Sequence, residues 1–412
     1  MEIKGCACGR RHICDVEAVN EGCGALSHIA PLIVDKKGVL LVADGNTYEA
    51  FRREGGSVAH PRITECIFPA SPLLVPDEAA VSAIEQSISP YTDTLVGIGG
   101  GTINDLCKYV AYKHGLYYIY VATAPSMDGY ASDGAALIQS GMKVTVKTQP
   151  PRVLICDTNI LKNAPLELIR AGVGDILGKF SCLNDWLLAA HIKGEYFCRA
   201  IYDRVMETAV RVADSADSII ARDAEGIALL THALIQVGIE MSYAGSSRPA
   251  SGSEHHMAHF FEIHALEHGA KHRPHGIDVG QASYYTALLR DAILKTDKEP
   301  CFCFDSVRHF ESVKRLLPRA AEGIVDLQAK TALHGSSDGD YCMDGIKAVL
   351  EKAPRADAVM AMLKKAGLGG TEMIEFYGAE TVENAMKYGK ELKDRFTVLW
   401  LYEYLGWEML NI

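Results

Sequence analysis

Seven of the chain's 15 histidines fall between His255 and His275, in the run EHHMAHFFEIHALEHGAKHRPHG. Imidazole is the commonest metal ligand and titrates near neutral pH, so this concentration points to a metal site or to proton chemistry. His255 and His259 stand four residues apart, which puts both on one face of a helix. His275 follows in a Pro-His-Gly turn, far enough along for the chain to finish the helix and return. Upstream, Asp175 lies between a glycine and an apolar helix in AGVGDILGK. One carboxylate and two imidazoles make a three-ligand site with a position open to a substrate oxygen, the pattern of a catalytic zinc centre. Zinc, nickel and iron all accept that donor set. His256, adjacent to His255, points elsewhere, and His264, His268 and His272 read as parts of a solvated helix face.

A second group of residues suits a nucleotide. VGIGGGTIND places Gly99, Gly100 and Gly101 between an apolar strand and a helix opened by Thr102. Glycine lets the backbone approach a phosphate, and a helix N-terminus supplies unpaired N–H groups and a positive dipole end. The glycines come late in the domain, unlike the standard dinucleotide fingerprint on the first βα unit. Thr123, Ser126, Asp128 and Ser132, in VATAPSMDGYASDG, follow the end of another strand, the edge where open α/β sheets bind ligands. Asp44 closes the run GVLLVADG; an acid there can bond ribose hydroxyls and repel a 2′-phosphate, which favours NAD(H).

The elements around these residues change character along the chain. Residues 38–46, 63–70, 94–101, 117–125 and 152–157 read as short buried strands. Helical spacing covers 77–89 and 102–115, the second closed by Gly115. This alternation implies a mainly parallel sheet flanked by helices. From about residue 165 the strand signals nearly vanish and amphipathic helices dominate. The expected division is an α/β, Rossmann-like nucleotide domain over 1–165 and an all-helical metal- and substrate-binding domain over 166–412.

Net charge is −11, which disfavours a general nucleic-acid or anionic-membrane surface. No apolar run is expected to reach membrane-spanning length, and the first residues lack the apolar core of a secretory signal. The expected compartment is the cytoplasm, where the 12 cysteines are thiols. One cysteine cluster differs: Cys6, Cys8, His12 and Cys14. Its donor count suits zinc, but its spacing matches no finger or ribbon, and the plainer expectation is a short strand and turn.

Taken together, GGGTINDLCKY, TAPSMDGYASDGAAL, AGVGDILGK, SGSEHHMAHFFE and PHGIDVG resemble the family of iron-type alcohol dehydrogenases, glycerol dehydrogenases and dehydroquinate synthases. The closest resemblance is to the branch that interconverts dihydroxyacetone phosphate and sn-glycerol 1-phosphate. That resemblance implies a dehydroquinate synthase-like fold with the active site in an interdomain cleft, NAD(H) or NADP(H), one divalent Zn2+ or Ni2+, a small phosphorylated triose or glycerol substrate, and a homo-oligomer. It implies that Asp175, His255 and His275 hold the metal and that Asp128 and His259 contact substrate. It places Gly99, Gly100, Gly101, Thr102, Thr123, Ser126 and Ser132 on the cofactor, with Asp44 less securely so. It leaves the substrate's phosphate unassigned, with Arg248, Lys143 and Lys147 the cations nearest the motifs. Alternatives are a glycerol dehydrogenase acting on an unphosphorylated polyol and a dehydroquinate synthase-like lyase. Those lyases carry glutamate where this chain has Asp175.

Overall fold

A computed structural model describes residues 1–139, 142–301, 306–331, 333–334, 339–369 and 372–406. The chain forms two compact units: Met1–Gly172 with Ser215–Ser246, and Val173–Asp214 with Ser247–Ile412. A single cut near 165 is thus replaced by three crossings, because a later helical segment folds with the first unit.

The first unit begins with the short strands β1 (Glu2–Ile3) and β2 (His12–Ile13), paired antiparallel. Then come β3 (Ala18–Gly22), α1 (Ile29–Ile33), β4 (Val39–Asp44), α2 (Gly45–Arg53), β5 (Ile63–Phe68), α3 (Glu78–Gln86), β6 (Thr94–Gly99), α4 (Gly101–His114) and β7 (Tyr117–Ala122). The hairpin β8 (Gly134–Gln139) and β9 (Met142–Lys147), then β10 (Val153–Asp157) and α5 (Thr158–Leu161), complete the α/β part. Six strands form one parallel sheet in the order β3-β10-β7-β6-β4-β5. The central strands are near-continuous runs of buried apolar residues, as expected where helices cover both faces.

The order of this sheet locates a ligand edge. From β4 the chain steps outward to β5, then returns across β4 to β6 and continues the other way to β7. The reversal leaves a crevice at the carboxyl ends of β4 and β6, where such sheets bind ligands. Register brings Ala43 opposite Ile98 and Gly99 opposite Ala122, so Asp44, Gly100 and Thr123 lie at three neighbouring strand ends.

The helix α6 (Leu166–Leu177) carries the chain from the first unit into the second. There follow α7 (Lys179–Lys193), α8 (Arg199–Asp214), α9 (Ala216–Ile220), α10 (Ala224–Ala244), α11 (Ser253–His268) and α12 (His275–Ile293). Further helices continue to Tyr404, and Trp400, Leu401, Phe260 and Leu289 lie in their common core. The architecture is therefore a Rossmann-like α/β part followed by a helical part. The expectation that no apolar run reaches membrane-spanning length needs one correction. The 21-residue α10 does so by length and composition, because it is packed within the protein for most of its length and is apolar nearly all round.

Candidate metal centre and nucleotide edge

Glycines let three helices of the second unit meet closely. A Cβ on Gly174 of α6 would overlap the carbonyl oxygen of Gly276 on α12, and one on Gly280 would come 2.7 Å from the Cα of Gly174. A Cβ on Gly178 would lie 2.6 Å from Val279 and 3.3 Å from the Glu254 side chain. Gly174, Gly178 and Gly280 are therefore the condition for close approach at this crossing. The residues beside them, Asp175 and His275, are set side by side as a consequence.

One donor atom from each of Asp175, His255 and His275 lies within 4.8 Å of the others. His255 Nε2 is 3.4 Å from Asp175 Oδ1. Its Nδ1 is 2.6 Å from Glu254 Oε1, which also accepts the Gly252 N–H at 2.9 Å. His275 Nδ1 is 2.9 Å from Glu262 Oε1. Each imidazole thus has one nitrogen fixed by a carboxylate, which leaves Nε2 as the nitrogen for an ion, the usual second shell of metal-bound histidine. His259 lies one turn from His255, and its ring stacks on His275 at 5.3 Å between centroids. His259, Glu262 and His275 form a second close group that shares His275 as a corner.

Charge at the centre is balanced by a residue the sequence reading quoted without using. Lys179 is fully buried and donates to Asp175 Oδ1 at 2.8 Å and to the Ala250 carbonyl at 2.9 Å. Burial favours the neutral acid, but the Lys179 ammonium and the neighbouring imidazoles outweigh it and hold the Asp175 carboxyl far below the usual carboxylate range. Burial and Lys179 push His255 down, yet hydrogen bonds to Asp175 and Glu254 prevail and raise it to about 8. Asp185 lies at the N-terminus of α11, where its two oxygens accept from Ser253 N at 2.7 Å and Val398 N at 2.8 Å. Its burial, with Glu254 nearby, pushes it up to about 6.

The other histidines of the run separate as their spacing suggests, with one exception. His268 and His272 are exposed, but His264, expected on the solvated face, is half-buried, its ring stacked on Phe260 at 5.7 Å between centroids. His256 is fully buried, where burial and then Arg395, Lys393 and Arg248 drive its imidazole well below the usual value. Arg248 is buried and committed: its guanidinium grips the Glu195 carboxylate and donates to Phe396 O at 3.0 Å. Among the other cations near the motifs, Lys147 is exposed and the side chain of Lys143 lies outside the described residues.

In the first unit, the three glycines have three different surroundings. A Cβ on Gly99 would lie 2.5 Å from Ile103, and one on Gly101 would overlap the Met127 sulfur. Gly100 is the N-cap of α4; a Cβ there meets nothing within 4 Å, and no side chain caps this helix end. Open space in front of an uncapped 14-residue helix, at the switch point of a parallel sheet, fits a diphosphate. Thr102 is in the first turn, and Thr123 N–H donates to Gly99 O at 3.1 Å. Asp44 caps α2 through Asn46 N and Thr47 N, both at 3.0 Å, so its carboxylate already has a structural task.

The turn after β7 is braced from within. Ser126 Oγ is 3.0 Å from the Tyr130 hydroxyl, which donates to the Ala124 carbonyl. Ser132 Oγ donates to Gly129 O at 2.9 Å. The buried Lys108 of α4 donates to Gly129 O at 2.9 Å, reaches Gly134 O, and pairs with Asp105 at 3.0 Å. Asp128 is buried in this turn. Sequence reading missed Lys108, Lys179, Glu254 and Glu262. A signal was available for two of them: a lysine four residues after Asp175 and a glutamate touching His255, both in apolar surroundings.

A family model described as iron-containing alcohol dehydrogenase matches residues 21–165. A glycerol-1-phosphate dehydrogenase, NAD(P)+, from Halalkalibacterium halodurans is 35% identical over 301 residues, 71% of this chain and 74% of that protein. The protein of the same name from Bacillus subtilis is 31% identical over 374 residues, 88% of this chain and 84% of that one. Among solved structures, sulfoacetaldehyde reductase from Bifidobacterium kashiwanohense in complex with NAD+ superposes with a TM-score of 0.58 at 16% identity, over 96% of this chain and 98% of that one. A probable glycerol dehydrogenase from Sinorhizobium meliloti gives 0.54 at 17% identity, over 85% and 98%. These two establish the fold. The fold and the two sequence relatives define an iron-type alcohol dehydrogenase class, and the chain belongs to its glycerol-1-phosphate dehydrogenase family.

Proposed function

We propose that this chain is a metal-dependent oxidoreductase that interconverts dihydroxyacetone phosphate and sn-glycerol 1-phosphate with NADH or NADPH. The observation that carries this reading is the convergence of Asp175, His255 and His275 in a chain of this family. Asp175, His255 and His275 would hold one Zn2+ or Ni2+, and Gly99, Gly100, Gly101 and Thr102 with Thr123, Ser126 and Ser132 would hold the dinucleotide. When bound, the two supply Lewis acidity toward the ketone oxygen and a hydride.

The chain's own residues prepare that chemistry. Glu254 and Glu262 fix the two imidazoles, so the donor atoms are oriented before an ion arrives. Lys179 offsets the negative charge of Asp175, which leaves the centre more electrophilic than its donor count implies. His259, one turn from His255 and stacked on His275, holds the substrate or passes a proton as the oxygen changes between carbonyl and hydroxyl. Asp128 accepts a hydrogen bond from a substrate hydroxyl. The uncapped start of α4 takes the diphosphate, and Asp44, whose Oδ1 caps α2, adds a ribose contact through Oδ2 beside its bond from Thr47 Oγ1.

The test is NADH and NADPH oxidation with dihydroxyacetone phosphate, with dihydroxyacetone and without substrate, before and after chelation. Turnover confined to the phosphorylated ketone, lost on chelation and restored by zinc or nickel, supports the reading. Turnover on dihydroxyacetone alone selects the glycerol dehydrogenase, and turnover that survives complete metal removal overturns the metal centre.

A further inference from the structure

The N-terminal hairpin is left over by this reading, and the family model begins only at residue 21. Strands β1 and β2 pair over two residues each, far too few to be stable by pairing alone. Between them the chain turns at Cys6–Gly9, where Gly9 N–H donates to Cys6 O at 3.1 Å and Gly9 takes φ 78°. Around that turn, the donor atoms of Cys6, Cys8 and His12 lie within 4.8 Å of one another. Cys14 does not join them; it is buried, with its N–H on Met1 O at 2.9 Å.

The geometry specifies which atoms face each other. His12 Nδ1 is 2.7 Å from the Tyr243 carbonyl, which can only accept, so Nδ1 carries the proton. The lone pair of Nε2 then faces Cys8 Sγ at 3.1 Å. A tetrahedral zinc with ordinary Zn–S and Zn–N bonds holds sulfur and nitrogen about 3.5 Å apart, so Cys8 Sγ and His12 Nε2 need to spread by only a few tenths of an ångström. Backbone support of one imidazole nitrogen while the other binds is the common arrangement of metal-bound histidine. Cys8 Sγ also accepts the Arg10 N–H at 3.5 Å. Two sulfurs and an imidazole select zinc over the harder divalent ions.

We propose that Cys6, Cys8 and His12 form a second, structural zinc site that staples the hairpin to the end of α10. The fourth tetrahedral position is filled by a further donor of the chain or by water. The consequence reaches the turn that carries Asp128. Ser242 Oγ, next to Tyr243, donates to Ala131 O at 3.2 Å, and a Cβ on Gly238 would come 2.8 Å from Asp128 O. Fixing the end of α10 therefore fixes the helix on which that turn rests.

The site is tested in the full-length protein, reduced and zinc-loaded, by metal analysis and cobalt spectroscopy. About two zinc ions per chain are expected in the wild type, and about one in either His255→Ala or the Cys6→Ser/Cys8→Ser double variant. Cobalt-loaded His255→Ala should keep the near-ultraviolet sulfur-to-cobalt charge-transfer absorption, and the same protein with Cys6→Ser and Cys8→Ser added should lose it. Zinc should also protect Cys6 and Cys8 of the unmutated protein from alkylation, as read by peptide mapping. That readout needs no substitution, so it stands if the double variant misfolds and is independent of the catalytic centre. Equal alkylation of both cysteines with and without zinc, or cobalt-loaded His255→Ala with no sulfur charge-transfer band, overturns the proposal.

Discussion

Lys179 and Asp175 form an ion pair with both side chains shut off from solvent, Nζ 2.8 Å from Oδ1. A buried pair is costly to assemble but costlier to break, because removing one partner leaves an uncompensated charge. Lys179→Met should therefore destabilise the metal-free protein by about 3–5 kcal/mol. Zinc should restore part of that loss by pairing with Asp175 itself. Urea unfolding with and without zinc measures both terms. Equal losses in the two conditions would show that Lys179 acts only as packing.

The carboxylates behind the imidazoles are expected to govern affinity rather than fold. Glu254→Gln and Glu262→Gln keep the size of each side chain and remove its charge. Each should weaken metal binding about 10- to 100-fold. Competition with a chromogenic chelator gives the constants, and far-ultraviolet circular dichroism should stay unchanged. Unaltered affinity in both would detach Glu254 and Glu262 from the metal.

Two glycine substitutions should fail in opposite ways. At Gly174 a Cβ would overlap the Gly276 carbonyl, so Gly174→Ala should cost about 1–3 kcal/mol or more and lower metal occupancy. At Gly100 a Cβ meets nothing, so Gly100→Ala should fold normally and bind NADH more weakly. Thermal unfolding and NADH fluorescence titration separate the two. Normal NADH binding by Gly100→Ala would remove the start of α4 from the cofactor site.

Asp185 gives a pH signature outside the proposed ligands. Its folded value is raised to about 6 from 3.8, mainly by burial and then by Glu254. The folded state therefore binds the extra proton between these values, and stability falls as pH rises from 3.8 through about 6. The contribution is on the order of 3 kcal/mol. Asp185→Asn should flatten the stability profile of this window relative to the wild type, apart from a constant offset for the altered hydrogen bonds to Ser253 and Val398. Parallel wild-type and variant profiles would show that Asp185 titrates normally.

Local patterns were legible where one residue type has one physical reason. The strand-to-helix glycines at 99–101, the helix closed by Gly115 and the His255–His259 face all follow from spacing. What spacing could not supply was contact between distant segments. Nothing local marks Gly174 as the neighbour of Gly276, or α10 as part of the first unit. The edge strand β3 was missed because AVNEG is short and half-exposed, without an apolar run. Sequence proximity made Arg248 the cation nearest the metal motif and left the phosphate unassigned; it could not show that Glu195, 53 residues away, occupies the Arg248 guanidinium.

The most direct test of the account is a zinc titration of metal-stripped Cys6→Ser/Cys8→Ser protein while NADH oxidation by dihydroxyacetone phosphate is followed. That background confines zinc to the proposed catalytic centre. Activity should rise from baseline and saturate near one zinc per chain, and the same protein with His255→Ala added should stay at baseline throughout. Full activity before any zinc is added, or a zinc-dependent rise in the His255→Ala protein equal to its parent, would contradict the assignment of Asp175, His255 and His275 as the centre of the reaction.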